Sequence, residues 1–234
     1  MPQRNDDAVQ FYRLLERAEQ NMGGRRLLGS LTGRLSLPPR GVYFFFDSNE
    51  KRTSTGTGSR VVRIGTHALT TNSRSTLGGR LKQHRGTVKD AGGNHRGSVF
   101  RLLVGKAIIA REGIVQLETW GVKSSADKAT RALERDMEGR VSSYLAGLEV
   151  VWLAVSDTPS RDSQRGIIER GSIALLSNLG KSTIDPASAA WLGLSSTSEK
   201  VRLSGLWNQN HVHEDFDSKF FGCFEQAIMQ HGSQ

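Results

Sequence analysis

Arg80 and His84 stand four residues apart, so a helix that carries them presents a guanidinium and an imidazole on one face. Upstream, two short apolar runs hold Gly41-Val42-Tyr43 and Arg63-Ile64-Gly65, a phenol and a second guanidinium on segments spaced as a strand pair. The setting is basic. Over residues 20–111 thirteen Arg and four Lys face only Asp47, Glu50 and Asp90, a local net charge of +14; the whole chain is +9, so the remainder stands at −5. Arginine outnumbers lysine 23 to 9, and a guanidinium grips phosphate oxygens through two parallel hydrogen bonds where an ammonium acts as a point charge. A basic block beside an acidic one points to a polyanion, nucleic acid above all. A separate arrangement, His211-x-His213 followed by Asp215, alternates imidazole and carboxylate as a different metal centre would.

Composition narrows the classes. The 234 residues, 36% hydrophobic and 24% charged, suffice for a packed core and exclude wholesale disorder. No apolar run reaches the ~18–20 residues of a membrane span. The opening MPQRNDDAVQ lacks the apolar stretch of a secretory leader, so a cytoplasmic protein with no membrane partner is expected. The single cysteine, Cys223, permits neither an internal disulfide nor a thiolate metal cluster.

The elements that must position these residues follow from periodicity and punctuation. Residues 6–21 predict an amphipathic helix, with Val9, Tyr12, Leu15 and Ala18 on one side, closed by Gly23-Gly24. GVYFFFD (41–47) and RVVRIGT (60–66) predict a hairpin with a long polar tip over 48–59. Ser75 or Thr76 caps a short helix, TLGGRLKQHRG, despite Gly78 and Gly79. Helices follow over 99–110 and 126–146, then a buried strand at 149–155, a helix at 163–178 and one more in the tail. The fold class is α+β.

Taken in order, Gly41-Val42-Tyr43, Ile64-Gly65, Arg80 with His84, and a glutamate on the helix after the third strand resemble the GIY-YIG nuclease family. The resemblance covers roughly residues 40–180 and implies a small three-stranded antiparallel-type sheet flanked by helices, with 126–146 as a helical insertion. It divides the chain into an N-terminal helical extension (1–39), a nuclease core (40–180) and a C-terminal extension packed on it (181–234). Carried over position by position, Tyr43 faces the active site, Arg80 and His84 lie on the first helix of the core, and Glu169 is the metal ligand. Asn178 corresponds to the family's late asparagine, with Asn208 or Asn210 as alternatives. Where the second half-motif opens on tyrosine, this chain has Arg63. Glu169 is also spaced to pair with Arg165 on its own helix.

The resemblance implies a metal-dependent DNA endonuclease, with a DNA-binding protein of inactive core as the alternative. One Mg²⁺ held by Glu169 would act as Lewis acid; magnesium keeps most of its waters, so one carboxylate is enough. Arg80, with Arg63 nearby, would bind the phosphate and favour its more charged transition state. Tyr43 would be the general base, with His84 taking its proton, since a phenol is almost wholly protonated at neutral pH. Arg74, Lys82, Arg85, Lys89, Arg96 and Arg101 would track the DNA backbone, with His67, Asn94 and His95 as further substrate contacts. Double-stranded DNA is the expected partner. A homodimer is compatible, because cutting two strands needs two sites.

Overall fold

The structure, a computed structural model, describes residues 2–31, 36–87 and 92–231. In chain order it contains α1 (Pro2–Asn21), β1 (Arg26–Leu27), β2 (Gly41–Lys51), β3 (Ser59–Gly65), α2 (Leu77–Arg85), α3 (Val99–Glu112), α4 (Lys128–Ala146), β4 (Glu149–Ala154), α5 (Gln164–Leu176), α6 (Glu199–Ser204) and α7 (Phe220–His231), with three short 3-10 turns. The four strands form one open antiparallel sheet in the order β1-β4-β2-β3. The three expected strands are therefore joined by a two-residue edge strand, too short to leave a signal in the sequence. No described helix is long and apolar enough to cross a membrane.

The aromatic run on β2 reflects its place between two neighbours, covered on both faces. Val42, Phe44 and Phe46 enter one core with α1, α5 and α7. Tyr43 and Phe45 point the other way into a second core with α2, α3 and α4. Alternation along a strand thus sends Tyr43 to the α2 side, where His84 is buried. Thr76 caps α2 by accepting the Gly79 N–H at 3.0 Å, which places Arg80 and His84 one turn apart along it.

The tertiary structure moves some boundaries. α1 begins at Pro2, four residues before the expected start, and proline is well suited to a first helical turn because its missing N–H is not needed there. β2 runs on to Lys51, so the hairpin tip is shorter than the polar sequence suggests. Asp185 accounts for that tip: its Oδ1 accepts the backbone N–H groups of Thr53, Ser54 and Thr55 at 2.7, 2.8 and 3.2 Å. α6 was not expected.

β3 lies at the sheet edge, yet its free backbone groups are occupied. The Trp207 N–H donates to the Val62 carbonyl at 2.7 Å, and the Asn208 amide both accepts from Ile64 N–H (3.1 Å) and donates to Ile64 C=O (2.8 Å). Side chain and loop therefore replace a fifth strand and shield the edge from foreign pairing. The same segment forms a wall of the cleft described next.

Candidate active site

The start of β3's turn, α2 and α5 enclose a cleft of about 650 Å³ lined by Tyr43, Arg63, Thr66, Arg80 and Glu169. A smaller hollow, about 360 Å³, shares Thr66, Arg80 and Glu169 and adds His67. Residues far apart in sequence meet here because β2 and β3 pair in a particular register: Tyr43 stands opposite Gly65. A Cβ on residue 65 would lie 2.3 Å from the Tyr43 hydroxyl. Only glycine lets the phenol cross the neighbouring strand.

The Tyr43 hydroxyl is 2.9 Å from His84 Nε2, and His84 Nδ1 is 2.8 Å from the Ser98 hydroxyl. Burial, reinforced by Arg63, Arg80 and Arg101, holds His84 well below the usual histidine range. The neutral ring that results has one acceptor nitrogen. With Nδ1–H donating to Ser98, that acceptor is Nε2, facing the phenol. Arg63 is buried beside Tyr43, with its guanidinium 4.8 Å from the Phe100 ring centre and donating to the Trp207 carbonyl. Burial lowers its affinity for a proton, while the neighbouring Tyr43 and Glu169 oppose that. Its Nε is buried without a partner among the described residues. Arg80 Nη1 donates to Gln83 Oε1 (3.1 Å) and to the Gly97 carbonyl (3.3 Å), which ties the guanidinium to α2 and to the turn before α3.

Glu169 occupies the opposite wall. Its Oε1 accepts the Thr66 N–H at 3.1 Å, and Thr66 is itself tied to Gly41 through its hydroxyl (2.8 Å). Arg165 does not pair with Glu169. It is fully buried, bonded to Asp157 at 2.5 Å, and donates to the His67 and Ala68 carbonyls. Arg165 thus pins the turn after β3 and leaves Glu169 to the cleft. Burial pushes the Glu169 carboxyl above the usual range, against the pull of the Thr66 N–H, Arg63, His211 and Arg80. No ion pair satisfies Glu169 among the described residues. A carboxylate pressed out of water, with one oxygen held by an amide, suits a hard, hydrated divalent cation that needs only one protein ligand.

His67 lies at the rim of this site. Its Nδ1 faces the Ser75 carbonyl at 3.1 Å, so Nδ1 carries the proton and Nε2 is a buried acceptor without a partner among the described residues. Burial, then Arg165, lowers His67 to about 4 from 6.5. His67 and His84 are thus both depressed in the folded state. Below pH 6.5 the unfolded chain takes up protons that the native chain refuses, so stability falls as pH drops from about 6.5 toward 4. Urea midpoints are expected to fall between pH 7 and pH 5, and His67→Gln should flatten the decline. An equally steep decline in His67→Gln would contradict the His67 assignment.

The structure does not bring the remaining expected contacts to the cleft. Arg96 is bidentate to Glu134 (2.6 and 2.8 Å). His95 gives both its N–H groups to Glu138 and stacks on Trp120 at 3.8 Å. Arg101 is buried against Glu138 at 2.5 Å. Such pairs are committed, since pulling one partner away strands a buried charge. Asn178 clips the Ile184 backbone through both ends of its amide, and Asn208 and Asn210 reach the cleft instead. Lys82 and Asn94 line a different hollow. Arg74 is exposed, and Arg85 has a buried Nε without a partner among the described residues. Lys89 lies outside the described residues.

Two arginines that sequence reasoning missed, Arg161 and Arg170, also line the cleft. Arg170 follows Glu169 directly, but both belong to the acidic part of the chain, which hid them. His211 reaches the cleft with its Nδ1 2.8 Å from Glu214. No group of three metal-binding side chains assembles among the described residues, so His211, His213 and Asp215 do not form a separate centre.

A family model described as GIY-YIG domain matches residues 2–234. No match was found among curated proteins or among solved structures.

Proposed function

The chain belongs to the GIY-YIG family, whose fold is of nuclease type, and from that premise we propose that it is a metal-dependent endonuclease acting on double-stranded DNA. One observation carries the reading: the Tyr43 hydroxyl sits 2.9 Å from a neutral acceptor, His84 Nε2, in a cleft that also holds Arg63, Arg80 and Glu169. Water adds to phosphorus and one P–O ester bond breaks. Tyr43 takes the proton of the attacking water as its own passes to His84. Arg80 binds the phosphoryl oxygens and gains strength as their charge grows. Arg63 donates toward Tyr43 and favours the oxygen when it carries negative charge. Arg161 and Arg170 add cationic surface along the strand's path. Glu169 is the residue that would hold Mg²⁺, with Thr66 N–H fixing the carboxylate's orientation. Bound there, magnesium would supply Lewis-acid polarisation of the phosphate.

The test is nicking of supercoiled plasmid with Mg²⁺. Arg80→Ala is expected to lose about 10²–10³-fold in rate, the usual cost of removing one transition-state donor. Full activity in that variant would overturn the assignment. Arg63 at the family's tyrosine position supports a second reading, a DNA-binding protein with an inactive core. It holds if the wild type cleaves no better than Glu169→Gln while both bind DNA.

A further inference from the structure

We infer that a groove between α2 and α4, outside the cleft, binds the phosphate backbone of duplex DNA through Lys82, Arg131 and Arg135. The groove encloses about 540 Å³. Its cations come from two elements: Lys82 from α2, and Arg131 and Arg135 from one face of α4. All three are exposed, and none has an ion pair among the described residues. The only carboxylate lining the groove among the described residues, Glu138, is already engaged by Arg101 and His95. Two like charges four apart on a helix repel each other, and a bound anion relieves that repulsion.

The groove adjoins the cleft. Arg80 lines the cleft, while both acceptors of its Nη1, Gln83 and Gly97, line the groove. A strand whose phosphate meets Arg80 therefore continues past α2 onto Lys82 and the α4 arginines. In the loop wall Gly97 leaves open the space a side chain would take, which allows a backbone to approach closely. The three cations suit a polyphosphate chain. The three cations address phosphate, so their contribution is to affinity and register.

This inference rests on the nuclease reading, and the experiment separates the two. Fluorescence anisotropy with a labelled duplex, in the absence of divalent metal, gives the slope of log affinity against log salt for three proteins. They are the wild type, Arg131→Ala/Arg135→Ala, and a control, Arg13→Ala/Arg17→Ala. The control removes the same exposed pair spacing from α1, on the other face of the sheet. Each lost phosphate contact lowers the slope by about 0.9, so the groove variant should fall by about 1.8 and the control should match the wild type. Identical slopes for groove variant and wild type, with the wild type still binding and nicking DNA, would sink the groove and leave the nuclease reading standing. An equal fall in the control would also overturn the groove, as general charge loss. Failure of the wild type itself to bind duplex removes both.

Discussion

Tyr43→Phe is expected to slow plasmid nicking by about 10²–10⁴-fold, the contribution typical of a positioned general base, with DNA affinity unchanged. The substitution removes one oxygen and nothing else. The ring keeps its edge-on contacts with Phe45 (5.5 Å) and His84 (5.4 Å), and the space over Gly65 stays filled. What disappears is the relay from water through the phenol to His84 Nε2. Single-turnover nicking at saturating protein isolates this step from binding. Because burial and three neighbouring arginines hold His84 well below its ordinary range, it stays an acceptor through neutral pH. Wild-type rates in Tyr43→Phe would eliminate the phenol as base, whatever its position in the cleft.

Glu169→Gln should produce two effects of opposite benefit. Cleavage falls by about 10³-fold or more, since a metal ligand that supports several kcal/mol of charge stabilisation is lost. Stability at neutral pH rises. The sign follows from burial: the folded protein holds Glu169 above its unfolded value, so the charged form is the one the fold resists. The wild type is penalised at pH above that raised value, and the penalty fades as pH falls and the carboxyl takes its proton. Glutamine still accepts the Thr66 N–H and carries no charge to desolvate. Thermal melts without metal should therefore show a higher Tm for Glu169→Gln at pH 8 and a smaller gap at pH 5. A lower Tm at pH 8 would mean that the carboxylate is stabilised by its surroundings and has no need of a cation. Retained nicking would remove Glu169 from the metal site.

Linear charge was an incomplete guide to the site. The +14 of residues 20–111 includes Arg60, Arg96 and Arg101, each turned inward onto Glu50, Glu134 or Glu138. Meanwhile Arg161 and Arg170, from the acidic remainder, face the cleft, and Arg131 and Arg135 face the groove. A segment sum cannot distinguish an arginine that meets solvent from one that meets a carboxylate forty residues away. Pairing is a property of packing: the hairpin brings Arg60 to Glu50, and α4 brings Glu134 and Glu138 to Arg96 and Arg101.

By itself the sequence determined the order of the longer elements, the pairing of the two hairpin strands that carry Tyr43 and Gly65, and the helical spacing that puts Arg80 and His84 on one face. Periods of 2 and 3.6 and turn residues act over a few neighbours, so they are legible locally. The family resemblance rested on that order. Tertiary structure alone decided which face of β2 Tyr43 takes relative to α2, and that Arg165 binds Asp157 and so leaves Glu169 to the cleft. It also decided that Asn208 spends its amide on the edge of β3 while Asn178 fastens the backbone of Ile184, just after its own helix. Each of those outcomes is a competition between possible partners, some a few residues away and some far along the chain. Burial settles such contests, because a polar group removed from water must find its partner wherever the fold has placed one.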